Sequence, residues 1–212
     1  MNTKQTPRRG RPPSSDGRAT QERILDAALE IFAERGFGGA TVRQIAAKVG
    51  VSDPALYAHF KGKQAIFEAL MREAGPDLLG VVAGDKPLID MPARTAIPEV
   101  FGAIVLAWTK PRARAFTSLM LRMGPEGIGN ALREVSERLQ PAFSAWQARG
   151  DIRNDIPAEV AVWQVIGPLS GLRMTYLHGI ASEADVAHAV TLANAHLAQV
   201  VRSLNSSEEE TQ

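Results

Sequence analysis

The chain has 212 residues, 45% hydrophobic and 22% charged, with 24 Lys and Arg against 23 Asp and Glu and no cysteine. That length buries a substantial core and allows one domain or two modest ones. The missing thiols exclude disulfide scaffolds, thiolate metal centres and cysteine nucleophiles, and four scattered histidines make an imidazole metal site a poor expectation. The near-neutral balance hides an asymmetry. Residues 1–72 hold 12 Lys and Arg against 7 Asp and Glu, and residues 73–212 hold 12 against 16, so a first third of +5 precedes a remainder of −4. A protein that meets a polyanion with one end has this distribution.

Residues 1–17 are polar and rich in Pro, Gly, Ser and Arg, and are expected to form a flexible basic arm. Within it, Pro7-Arg8-Arg9-Gly10-Arg11-Pro12 has an Arg-Gly-Arg-Pro core that resembles an AT-hook. Arginines flanking a glycine can lie in a narrow A·T minor groove, although a merely solvating tail has the same composition. The N-terminus lacks an apolar signal-like region and the longest apolar run, residues 101–108, is far too short to span a bilayer, so neither a membrane nor export is expected and the cytoplasm is.

Helical periodicity begins after the arm. Ile24, Leu25, Ala28, Ile31 and Phe32 form one apolar stripe, and Gly36 is placed to end the helix. Thr41 is placed to cap a second helix whose inner side carries Val42, Ile45, Ala46 and Val49, and Gly50 ends it. Ala46 is small where two helices must approach closely, Gly50 supplies a left-handed turn, and Val51 and Leu56 plug the corner. Ser52 and Asp53 are both candidate caps of a third helix, and Pro54 suits its first turn. Residues 41–60 therefore read as a helix-turn-helix whose second helix enters a major groove N-terminus first.

Beyond Lys63 the pattern stays helical: a connecting helix to about residue 74, then segments near 93–109, 112–123, 127–149, 157–178 and 183–204, with no strand-like alternation. Pro141 and Pro168 fall inside such segments and are expected to kink or split them. Residues 205–212 read as a disordered acidic tail. The expected fold is all-α, with about nine helices: a three-helix helix-turn-helix DNA-binding domain at 18–66 and a larger helical effector-binding and dimerisation domain at 67–204.

From about Arg18 to Leu70, through RILDAALEIFAERGFGGATVRQIAAKVGVSDPALYAHFKGKQAIFEAL, the chain resembles the tetracycline-repressor (TetR) family. The resemblance implies that Arg43 reads a guanine edge through a bidentate bond, or serves as a phosphate contact. It puts Ser52, Asp53 and Ala55 in the leading turn of the recognition helix. Two of these depart from the pattern: Ala55 stands where Thr or Ser is frequent, leaving only apolar contact with a thymine methyl, and Asp53 either caps its own helix or accepts from a cytosine amino group. Tyr57, His59 and Lys63 match positions that hold the DNA backbone, Thr41 adds a phosphate contact to its capping, and Tyr57 has a second possible role as a core plug with a wet tip. Arg8, Arg9 and Arg11 would reach the minor groove.

The resemblance also implies a homodimer built on the last two long helices, an operator in double-stranded DNA, and a small-molecule effector. An effector pocket would be lined by Phe101, Trp108, Phe116, Met120, Met123, Phe143, Trp146 and Trp163, with Arg122, Asn130 or Gln164 as polar anchors; for any single one of the apolar residues, ordinary core packing is the favoured alternative. No cofactor, metal or catalytic residue is expected: no Gly-rich phosphate loop, metal-ligand spacing or nucleophile motif is present. An architectural DNA-binding protein without an effector is the rival reading, and a helical enzyme a more distant one.

Overall fold

The computed structural model describes residues 16–74, 87–122, 125–179 and 181–205. The arginines of the arm, Arg8, Arg9 and Arg11, together with Met123 and the acidic tail from residue 206, lie outside these.

The described residues form nine helices and no strand. In α1 (Asp16–Gly39) the stripe of Ile24, Leu25, Ala28, Ile31 and Phe32 is buried throughout. The helix breaks at Gly36, whose φ of +69 and ψ of 165 suit only a residue without a β-carbon. α2 (Val42–Val49), α3 (Asp53–His59) and α4 (Lys63–Ala74) follow. Ile45, Leu56, Ile66 and Leu70 close with α1 over a first core.

A short turn, Leu88–Asp90, leads into α5, which comprises Ala93–Ala96, a π-helical turn Ile97–Phe101 and Gly102–Trp108. Pro98 sits inside that π turn, where the wider spiral relieves the clash of its ring with the preceding turn. Then come α6 (Pro111–Arg122), α7 (Pro125–Arg149), α8 (Ala158–Tyr176) and α9 (Glu183–Leu204). Phe101, Ile104, Phe143, Trp146, Val162, Leu169 and Leu197 belong to a second core. Among the described residues no helix is long and apolar enough to cross a membrane.

Of the two outcomes expected at the prolines, kinking or splitting, splitting does not occur: α7 and α8 run on through Pro141 and Pro168. Both rings lie on exposed positions, where the backbone left without a donor is open to other partners. At Pro168 the partner is visible. The carbonyl four residues back, on Gln164, loses its helical N–H, and Nε2 of His196 on α9 lies 2.9 Å from it. A carbonyl only accepts, so this nitrogen carries the proton. His196→Leu is expected to cost about 1 kcal/mol and to lower the melting temperature by about 2–4 °C, read by circular dichroism; an unchanged transition would mean that water serves the carbonyl equally well.

α6 is where the two cores meet. Ala113, Phe116 and Leu119 belong to the first core, and the helix is clamped to α1 near both ends. Arg112 donates to Asp26 (2.7 Å) and to both the carboxylate and the carbonyl of Glu22, while Arg122 donates to the carbonyl of Ala33 (2.7 Å). On its other side, Arg114 donates to the Ala181 carbonyl (2.8 Å) and Ser118 accepts from the N–H of Gly179 (2.7 Å), tying α6 to the loop between α8 and α9.

Candidate nucleic-acid interface and effector cavity

The turn between α2 and α3 is fixed by backbone chemistry. Gly50 has φ +76 and ψ 32, and the N–H groups of Gly50 and Val51 close onto the carbonyls of Ala47 (3.2 Å) and Ala46 (3.0 Å). A β-carbon at that φ would cost about 1–2 kcal/mol. Thr41 begins α2 with a reciprocal cap: its hydroxyl accepts from the N–H of Gln44 (3.3 Å) and the Gln44 side chain accepts from the N–H of Thr41 (3.0 Å). Arg23 of α1 donates to the Val49 carbonyl at the other end. Of the two candidate caps of α3, Ser52 fills the position, its hydroxyl accepting from the N–H of Ala55 (3.4 Å). Asp53 instead occupies the first helical residue, its carboxylate at the positive end of the helix.

With Ile45, Ala46, Val49 and Leu56 turned inward, Arg43 of α2 and Ser52, Asp53, Ala55 and Tyr57 at α3 are left exposed. Tyr57 is 54% exposed and therefore not a core plug. His59 is half-buried beside the start of α1, where a β-carbon on Gly17 would stand 4.0 Å from its Cε1.

Lys63 is the exception on this surface. Its ammonium donates to the carbonyls of Phe37 (2.8 Å), Gly38 (3.3 Å) and Ala40 (3.1 Å) and lies 4.7 Å from the centre of the Phe37 ring. All three donors are used on the loop that precedes Thr41, so the first residue of α4 fastens the entry to α2. Lys63→Met is expected to cost about 2 kcal/mol of stability and to leave the slope of log affinity against log salt for DNA unchanged. A slope reduced by about 0.9 per subunit would instead assign this ammonium to a phosphate.

The second core holds a cavity of about 70 Å³, lined by residues of α5, α6, α7 and α8. Phe101, Trp108 and Met120 line it. The other aromatic candidates have different places. Phe116 is buried in the first core, 6.2 Å from the Phe67 ring, and Phe143 and Trp146 form a core pair 4.7 Å apart, with the Trp146 N–H on the Met91 carbonyl (2.8 Å). Trp163 is half-buried among the residues packed against the second core. None of the three polar candidates lines the cavity: Arg122 is exposed against α1, Asn130 is exposed and paired with Arg133, and the Gln164 side chain faces outward.

The polar lining consists of Thr117, Ser170 and Arg173, none of which the sequence reading selected. Arg173 is 7% exposed. Its Nε donates to the Thr117 hydroxyl (2.9 Å), which donates onward to the Ala113 carbonyl (2.9 Å), and its guanidinium carbon lies 4.7 Å from the centre of the Trp108 ring. Burial pushes the guanidinium down to about 9. A signal existed: Val162, Val165, Ile166, Leu169 and Arg173 share the buried stripe of α8, and a charge on such a stripe is anomalous.

A capped, glycine-turned helix pair with an exposed polar face, carried on an all-helical frame, defines a helix-turn-helix DNA-binding protein. Residues 24–70 match the model of the bacterial regulatory proteins, tetR family. The transcriptional repressor AcnR of Corynebacterium diphtheriae is 39% identical over 147 residues, 66% of this chain and 72% of that protein. The transcriptional regulator SrpR of Pseudomonas putida is 26% identical over 192 residues, 86% of this chain and 85% of that protein. Among solved structures, NalD of Pseudomonas aeruginosa, the secondary repressor of the MexAB-OprM multidrug efflux pump, superposes with a TM-score of 0.61 at 21% identity, over 91% of this chain and 100% of that one. The chain belongs to the tetR family and is a DNA-binding transcriptional regulator, not an enzyme.

Proposed function

We propose that the protein is a homodimeric repressor that leaves a pseudo-palindromic operator when a small, largely apolar effector enters the cavity. AcnR and NalD are repressors, and the observation that carries the release mechanism is the double duty of α6. It gives Ala113, Phe116 and Leu119 to the core beneath the helix-turn-helix and Thr117 and Leu121 to the cavity wall, while Met120 packs against that core and lines the cavity as well. An effector that favours a displaced α6 thereby favours displaced recognition helices, and it releases DNA to the extent that it binds that state better.

On the DNA side, Arg43 reads a base, Ser52, Asp53 and Ala55 meet the groove with the leading turn of α3, and Thr41, Tyr57 and His59 hold phosphates. Lys63 supports them from inside. Gly17, near the start of the described residues, stands beside His59, and Arg8, Arg9 and Arg11 are assigned to the minor groove. Deleting residues 1–15 is expected to weaken operator binding and to flatten its salt dependence by about 0.9 per lost phosphate contact; an unchanged slope would exclude the arm from DNA.

For the dimer, α8 offers a stripe that the described residues leave exposed: Val160, 44% exposed, with Gln164, Pro168, Gly171 and Thr175 at helical spacing and no charge among them. Small uncharged residues suit close packing against a second copy. Sequencing the fragments that the purified protein selects from random DNA tests the whole reading. Two inverted half-sites about one helical turn apart are expected; enrichment of a single half-site, or of none, would contradict it.

A further inference from the structure

The cavity is small and its wall is uneven. Its volume of about 70 Å³ is less than half of the roughly 150 Å³ that holds one benzene ring, and sites for drug-sized ligands enclose about 300–1,000 Å³. An effector of more than a few atoms fits only if part of the wall gives. Phe101, Ile104 and Leu169 do not give cheaply, since each is at most 4% exposed and packed into the second core. The wall is looser at the end of α6, the start of α7 and the end of α8, where Leu121 is 37% exposed and Ile128, Leu132 and Met174 are half-buried. α6 is also tied to α1 unequally. At its start Arg112 pairs with both Glu22 and Asp26 and adds the Glu22 carbonyl. At its end the tie is an exposed hydrogen bond, from Nη1 of Arg122 to the Ala33 carbonyl at 2.7 Å. Ala33 stands three residues before the break in α1 at Gly36, and just beyond that break lie the carbonyls of Phe37, Gly38 and Ala40 that Lys63 gathers ahead of α2.

We propose that the effector is an apolar molecule larger than the resting cavity, that it gains room by displacing the end of α6, and that the Arg122–Ala33 tie is the latch this displacement opens. A lone hydrogen bond in water exchanges readily for hydration, whereas a guanidinium shared between two carboxylates holds harder. α6 therefore pivots about Arg112, and the turn of α1 before Gly36 loses its hold on α6. The displacement reaches the entry to the helix-turn-helix through α1. This inference rests on the reading of the cavity as the effector site.

Two probes test this on the full chain without DNA: Nile red, a neutral dye larger than the resting cavity, and xenon, a single atom that needs no displaced wall. Fluorescence titration gives the affinity for the dye, and the xenon NMR shift gives that for the gas. Arg122→Met is expected to bind Nile red about five- to tenfold more tightly, because the latch no longer opposes it, with its xenon affinity unchanged. Arg122→Lys, which keeps a donor in place, is expected to fall between the parent and Arg122→Met. Leu132→Trp fills the cavity and is expected to abolish binding of the dye. A merely structural Arg122 would lower the melting temperature and leave the dye affinity where it was, which overturns the inference. An equal gain for xenon, or dye binding that survives Leu132→Trp, overturns it too. Xenon bound without the dye overturns it and leaves the cavity to an effector of a few atoms, whereas binding of neither probe removes the cavity reading as well. Dye that binds as expected but does not displace operator DNA in a second titration counts against the release mechanism and leaves the latch standing.

Discussion

Gly171→Glu is expected to convert the proposed dimer to a monomer and to weaken operator binding by about 10²–10⁴-fold, the gain that linking two half-site contacts provides. The substitution is aimed at the interface alone. A β-carbon at Gly171 meets nothing within 4 Å in its own chain, and glutamate is a better helix former than glycine by roughly 0.5–1 kcal/mol, so the subunit itself is expected to melt no earlier. A carboxylate pressed against its symmetry copy is a different matter, since two like charges would be desolvated together. Light scattering on the purified variant gives the mass and fluorescence anisotropy with operator DNA gives the affinity. A variant that remains dimeric and binds as the parent does would move the interface away from the outer stripe of α8.

The second large effect is at Arg43. It is exposed in the first turn of α2, and no hydrogen bond or ion pair ties it to the described residues. Lys48, also exposed, is by contrast held to Glu30 at 2.6 Å. Arg43→Ala is expected to remove the bidentate base contact proposed for it, about 1–3 kcal/mol from each half-site. With two copies per operator the loss is about 2–6 kcal/mol, roughly 30-fold to 10⁴-fold. The pattern of loss matters more than its size. A base reader, once removed, relaxes the preference at one base-pair position in each half-site and leaves binding to unrelated DNA nearly unchanged. A phosphate contact weakens all sequences alike and lowers the salt slope. Ala55 and Asp53 provide little hydrogen-bonding variety in the leading turn, so under the proposed reading much of the discrimination is expected of Arg43.

The helix-turn-helix was legible in the sequence because its determinants are local. Thr41 and Gln44 cap across three residues, Gly50 takes the one conformation that only glycine takes cheaply, and the inward positions follow the helical period. The nine-helix frame was legible for the same reason, with α9 falling where its segment was expected. What the sequence did not show depended on distant parts of the chain. Lys63 turns inward because three carbonyls 23 to 26 residues earlier converge on it, and no local pattern announces them. α8 passes through Pro168 because a histidine 28 residues further on stands by the orphaned carbonyl, as the His196–Gln164 contact implies.

The aromatic residues were harder still. α6 is covered on several sides, so Phe116 and Met120 are alike in sequence although Phe116 is buried in the first core and Met120, packed against that core, also lines the cavity. Periodicity separates buried from exposed; it does not separate one buried face from another. The aromatic inventory therefore named core residues such as Phe143 and Trp146 along with true lining residues, and it passed over Arg173, whose charge on an apolar stripe was the more informative anomaly.

The central claim, that residues 41–60 read a specific sequence in DNA, is tested most directly by a competition titration. The selected pseudo-palindrome, labelled and bound at physiological salt, is displaced with unlabelled palindrome and with random duplex of equal length. The account predicts that the random duplex competes at least about a thousandfold less well, and that Arg43→Ala narrows this ratio. Competition within a few-fold by the two duplexes would contradict it, leaving a protein that holds DNA without reading it.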